Sequence, residues 1–174
     1  MTCVSAIVQN GVSVIAGERG ASDSNIILPL STSKVWQSGQ YLFGYSGSLE
    51  GEIVKESFIP PVAPKTGLNK FMHGEFLLKL KEFYEEYAIN KDSSELGLLI
   101  IINDVIYEHN VQDMSMSAYD SPFLSAGSGS EYAMGSLHST TSYKDPKKRL
   151  RMALEASIQY SPTCTGTIDI LTKE

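Results

Sequence analysis

Positive charge is scarce in this chain, and so are cysteine, histidine and long apolar runs. Fourteen Lys and Arg stand against twenty Asp and Glu in 174 residues, a formal charge of -6. That balance excludes the concentrated basic surface that nucleic acid or an anionic membrane requires. The densest basic stretch, KDPKKRLR at 144–151, reads as the solvated first turns of a helix. The longest apolar run, LGLLIII at 96–102, falls far short of the roughly 20 residues that cross a bilayer. The N-terminus has no basic region followed by an apolar one, so no secretory signal is expected. Cys3 and Cys164 form no CxxC pair, and His73, His109 and His138 lack metal-ligand spacing. The expectation is a soluble, cytoplasmic protein with reduced thiols, no structural metal and no cofactor.

What is present is ordinary globular material. With 42% apolar and 20% charged residues, the length suits one domain spanning 1–174 with a substantial core. Val- and Ile-rich stretches at 2–9 and 12–17 are joined by Asn10-Gly11, the dipeptide best suited to a type I′ hairpin turn. A second strand pair is read at 34–36 and 41–47, with Ser38-Gly39 as its turn signal. SLEGEIVKESF at 48–58 predicts a short helix that ends at the breaker IPPVAP. Between Lys70 and Asn90, Met72, Phe76, Leu80, Phe83 and Tyr87 recur every three or four positions, the spacing of one buried helical face. LGLLIII and VIYEH flank Asn103-Asp104 as another hairpin. SPFLSAGSGS leads from a strand into the helical EYAMGSLHS. Asp145-Pro146 is an N-cap followed by a first-turn proline, opening a helix to about Tyr160. TIDIL closes as a strand. Strands, two helices, strands, two helices and a strand predict an α+β protein of antiparallel sheets with helices layered outside.

Two motif matches fail on inspection. STSK at 31–34, SDS at 22–24 and KTG at 65–67 imitate the penicillin-recognising triplet, but in the wrong order and too close together. GSGSEYAMG at 127–135 lacks the third glycine of a dinucleotide loop, Tyr132 standing there, and no βαβ unit leads into it.

Four other places suit one chemistry. Thr2 follows an initiator methionine of the kind usually removed, which would leave a hydroxyl and a free α-amine on one residue. Lys34 follows the second hairpin region, Gly47 ends a strand where a helix begins, and Ser128 lies in a Gly-Ser-Gly turn. A hydroxyl nucleophile needs a base, a nearby cation and backbone N–H groups for an oxyanion. Each position also has a plain structural reading: a first strand residue, a solvated charge, a bend and a capping turn.

With TCVSAIVQNGVSVIAGE at the start, SKV around Lys34, YSGSLEGE around Gly47, AGSGSEYAMGSL around Ser128 and ALEASI before the final strand, the chain resembles the N-terminal-nucleophile hydrolases of the proteasome β-subunit and HslV type. The resemblance implies an αββα four-layer sandwich and a threonine endopeptidase. Thr2 Oγ1 would attack the peptide carbonyl and the α-amine would act as base, its ordinary pKa being about 7.7–8.0. Lys34 would be the nearby ammonium, Gly47 would supply the oxyanion N–H, and Ser128 would help hold the amine. It further implies protein or peptide substrates, a homo-oligomeric ring and a separate AAA+ unfoldase. Tyr45, two residues before Gly47, is a candidate wall of the substrate pocket.

The chain departs from the family twice. Glu18 in GERG stands where the family has the aspartate that pairs with the lysine. QYSPTCTG at 159–166 replaces the family's C-terminal aspartate and serine, leaving Ser161, Gln159, Thr163 and Thr165 as candidates without a carboxylate. These departures, and the amide that a retained Met1 would make of the amine, motivate a second reading as an inactive scaffold subunit. A third, an amidohydrolase using Cys3, is set against the simpler reading of Cys3 as a buried strand residue.

Overall fold

The structure, a computed structural model, describes residues 2–22 and 25–173. The fate of Met1 and most of the SDS stretch therefore lie outside it. Asn10 and Gly11 both take positive φ, 55° and 75°, closing the first hairpin between β1 (Val4–Gln9) and β2 (Val12–Glu18). Asn103 and Asp104, at 47° and 60°, do the same between β7 (Gly97–Ile102) and β8 (Val105–Asn110). These are the φ signs a type I′ turn demands. In the hairpin of β5 (Val35–Ser38) and β6 (Tyr41–Ser46), Ser38 pairs with Tyr41. The turn is thus Gly39-Gln40, one residue later than expected, because Gly39 takes the positive φ of 54°.

The strands form two main antiparallel sheets. One has the order β10-β1-β2-β11, with β10 at Phe123–Ala126 and β11 at Ile168–Lys173. The other runs β5-β6-β7-β8-β9, with β9 at Ser115–Ala118. A small hairpin of β3 (Gly20–Ser22) and β4 (Ile27–Pro29) stands apart from both. The sequence reading missed β3, β4 and β9. Each is three or four residues long, too short for alternation to register.

Three apolar clusters make the layers. Val4, Ala6, Ile15, Val35, Leu42 and Ile101 pack between the sheets. α1 (Gly51–Ser57) and the helical run from Leu68 to Glu86 cover the five-stranded sheet through Phe43, Phe76, Leu80 and Leu98. α4 (Ser130–Ser139) and α5 (Pro146–Tyr160) cover the four-stranded sheet through Ile7, Ala16, Leu137 and Leu154. This is the αββα sandwich that the resemblance implies.

Two helical expectations need correction. The run after Gly67 is not one α-helix. α2 (Leu68–Phe71) passes into a π-helical turn at Met72–Phe76 before α3 (Leu77–Glu86). Tyr84 is buried, and Tyr87, expected on the apolar face, is 42% exposed because α3 ends at Glu86 and Tyr87 is its C-cap. In α5, Asp145 caps the helix as expected, Oδ1 accepting from the Lys147 and Lys148 N–H groups at 2.9 and 3.2 Å. Its first turns are not wholly solvated, however. Arg149 is buried, donating to Gln9 Oε1 at 2.6 Å and to the Leu137 carbonyl at 2.7 Å.

One buried titratable group sets an acid limit on this fold. His109, on β8, gives Nδ1–H to the Ser115 carbonyl at 2.6 Å and stacks on Tyr84, while Nε2 meets no partner among the described residues. Burial pushes its pKa from 6.5 down to about 4, against smaller opposing effects of the Ser115 carbonyl and Asp113. The unfolded chain then binds a proton that the folded chain refuses between those values. Stability is lost as pH falls from about 6.5 to 4, by about 3 kcal/mol at most. In urea unfolding across that range, His109→Gln is expected to show a shallower acid slope than the wild type.

Candidate active site

Strand pairing decides what surrounds Thr2, just ahead of β1. Val4 pairs with Gly17 of β2 on one side and with Ala126 of β10 on the other, which brings Glu18 and the turn at 127–129 beside Thr2. Ile168 of β11 pairs with Glu18, bringing in the segment that precedes β11. Lys34 comes from the other sheet, one residue before β5.

Thr2, Glu18 and Lys34 are 1%, 0% and 1% exposed, so they must satisfy one another. The Lys34 ammonium donates to Thr2 Oγ1, to the Gly20 carbonyl and, at 3.2 Å, to Glu18 Oε1. Thr2 Oγ1 in turn donates to Glu18 Oε1. The Cys3 N–H also reaches Oε1 at 3.0 Å, while the Gly20 and Thr165 N–H groups hold Oε2 at 2.6 and 2.9 Å. Burial lowers the Lys34 pKa, and the Glu18 charge pulls it back up. The extra methylene of Glu18 thus does not break its pairing with Lys34. One carboxylate oxygen, Oε1, meets both the lysine and the threonine hydroxyl.

The 127–129 turn wraps the other end of Thr2. Its carbonyl accepts from the Gly129 N–H at 3.2 Å and from Ser128 Oγ at 3.4 Å. Gly127 has φ 93°, and a Cβ there would stand 2.2 Å from the Thr2 oxygen. Ser128 Oγ bonds Thr163 Oγ1 at 2.6 Å, which bonds Ser161 Oγ at 3.0 Å. Of the C-terminal candidates, Ser161 and Thr163 therefore join the site through Ser128, Thr165 joins through its backbone, and Gln159 is exposed near the end of α5.

A cavity of about 570 Å³ opens beside Thr2 and Lys34, walled by Tyr45, Gly47 and the apolar Ile26, Leu28 and Leu30 from the β3-β4 region. Gly47 has φ 78°, and a Cβ would fall 1.9 Å from the Glu95 carbonyl oxygen, so only glycine fits. Tyr45 is a fixed wall. Its hydroxyl donates to Glu52 Oε1 at 2.6 Å, and burial raises its pKa. Arg19, beside Gly20, makes a two-point bridge to Asp169 of β11, Nε–Oδ2 at 2.7 Å and Nη2–Oδ1 at 2.8 Å.

The structure thus gathers Thr2, Glu18, Lys34 and Ser128, with Gly47 and Tyr45 on the adjoining wall. Sequence reasoning missed the Gly20 carbonyl and N–H and the Thr165 N–H, because backbone groups carry no residue signature. It also left Thr163 unassigned, since a hydroxyl in SPTCTG has no spacing rule to mark it.

The same four layers occur in solved structures. BPH of Thiobacillus denitrificans superimposes with a TM-score of 0.82 for its complex with epoxomicin and 0.78 for a second structure, each at 16% identity over 99% of this chain and 98% of that one. HslV of Trypanosoma brucei gives a TM-score of 0.73 at 15% identity, over 98% of each chain. The chain shares the four-layer fold of HslV and BPH. No protein-family model and no curated protein matches it.

The buried pair makes the site part of the fold's stability. Removing one partner of a buried pair leaves an uncompensated charge, at a cost of about 3–5 kcal/mol. Lys34→Met is expected to lose about that much in urea unfolding. The double variant Glu18→Gln/Lys34→Met is expected to lose less than the two single losses added.

Proposed function

We propose that this chain is a threonine-type peptidase subunit of a self-compartmentalising protease. The observation that carries the reading is the Thr2 hydroxyl held between the Lys34 ammonium and the Glu18 carboxylate at a cavity wall. Loss of Met1 would free the α-amine of Thr2. Oγ1 attacks the peptide carbonyl, and the α-amine accepts its proton. The Lys34 ammonium favours the alkoxide and keeps a neighbouring amine neutral by like-charge repulsion. The Gly47 N–H donates to the oxyanion. Ser128, tied to Thr163 and Ser161, steadies the Thr2 backbone. Water then releases the acyl group from Oγ1.

The cavity fits a medium-sized apolar side chain, with Ile26, Leu28 and Leu30 on one side and the Tyr45 ring on another. By likeness to HslV and BPH we extend the reading to a homo-oligomeric ring enclosing the sites, protein or peptide substrates, and an AAA+ partner that unfolds them. Two free cysteines, and the absence among the described residues of any helix long and apolar enough to cross a membrane, fit a cytoplasmic setting.

The test is the intact mass before and after a peptide epoxyketone, a warhead that needs both the hydroxyl and the free amine of an N-terminal threonine. The expected result is a starting mass without Met1 and one stoichiometric adduct, lost in Thr2→Ala. A mass that keeps Met1, or a processed chain that takes no adduct, would replace the enzyme with the inactive scaffold subunit.

A further inference from the structure

Pairing with Lys34 requires only that a Glu18 oxygen lie near Nζ. The geometry goes further, because Thr2 Oγ1 donates its own proton to Glu18 Oε1. We infer that Glu18 is a catalytic residue that takes the Thr2 hydroxyl proton directly, so that acylation of Thr2 has a base besides the α-amine. This rests on Thr2 being the nucleophile.

Three observations carry it. The donor and acceptor are already in contact, so no water and no rotation intervene. Oε2 is fixed by the Gly20 and Thr165 N–H groups at 2.6 and 2.9 Å, which leaves Oε1 aimed at the hydroxyl. The Lys34 ammonium donates to the same Oγ1, so one lone pair of that oxygen accepts from Nζ and the other remains for attack. An aspartate at this position would end one carbon sooner, and its carboxylate would lose reach toward Oγ1.

One effect opposes the inference. Lys34, Cys3, Gly20 and Thr165 all donate to the same carboxylate, so Thr2 shares it with four other donors. The timing of the proton offsets this. As Oγ1 bonds to the carbonyl carbon its acidity climbs steeply, and even a weak base in contact then suffices. In the balanced step the Oγ1–C bond forms, the Oγ1–H bond breaks, the proton passes to Oε1 and the carbonyl π pair becomes the oxyanion. On collapse the C–N bond breaks, the leaving nitrogen takes the proton, and the carboxylate is restored.

The experiment compares the processed chain with one carrying Gly-Ser ahead of Thr2, which turns the α-amine into an amide. The probe is a peptide β-lactone. Its ring opening by Oγ1 leaves an ester and a protonated ring oxygen, needs no amine, and is read by intact mass with the adduct mapped to Thr2. The extended chain is expected to acylate at Thr2, about 10- to 100-fold more slowly than the processed one. Adding Glu18→Gln to the extended chain is expected to slow it by a further ~100-fold or more. Glu18→Asp, which keeps the charge beside Lys34 and guards against a misfolded Gln variant, is expected to slow it as well. If the processed chain reacts and the extended chain does not, the α-amine is the sole base and the inference falls. It falls equally if extended Glu18→Asp reacts at the wild-type rate. If neither wild-type chain reacts, Thr2 is not the nucleophile and the proposed function fails with it.

Discussion

Everything at this site hangs on one buried carboxylate. Glu18, fully shielded from water, takes five donors: the Thr2 hydroxyl, the Lys34 ammonium and the N–H groups of Cys3, Gly20 and Thr165. Burying a carboxylate and an ammonium costs several kcal/mol per ion, recovered only when geometry and hydrogen bonds are good. An apolar pair of similar size would hold the sheets together at least as well. The ion pair is better understood as a clamp on position. Its donors come from ahead of β1, from β3, from ahead of β5 and from ahead of β11, so one side chain fixes four chain segments against one another.

The fold supplies that convergence at little cost. A residue just ahead of β1, as Thr2 is, is flanked by whatever pairs with β1. In the order β10-β1-β2-β11 the neighbours are the end of β2 with Glu18 and the end of β10 with its Gly-Ser-Gly turn. The two sheets then need contact at only one more point for Lys34, and Gly44 makes the close approach possible. A Cβ there would stand 2.4 Å from Val4 Cγ1 and 3.1 Å from Ile15 Cδ1. Small residues between the sheets bring the lysine of one layer against the threonine of the other.

The readable parts of the sequence were those with local physical causes. Asn10-Gly11 and Asn103-Asp104 announced hairpins because few residue pairs accept positive φ, and Asp145-Pro146 announced α5 because its cap is chemical. The π-turn at Met72–Phe76 was not legible, since Met72, Phe76 and Leu80 keep helical spacing whether or not one turn is widened. The site divides in the same way. Thr2, Lys34, Gly47 and Ser128 could be named from motifs, whereas the Gly20 and Thr165 backbone groups are brought in by the tertiary placement of β3 and of the segment ahead of β11 and leave no mark on residue identity.

Glu18 sits on the boundary between these two kinds of feature. Its identity is plain in the sequence, where it reads as a lengthened and doubtful substitute for an aspartate. Its consequence depends on where the added carbon points, and that is settled by two backbone N–H groups on Oε2. With Oε2 held from the β3 and β11 sides, the added length can only be spent toward Lys34 and Thr2. A residue that weakens the resemblance in one dimension therefore stands, in three, in direct contact with the Thr2 hydroxyl.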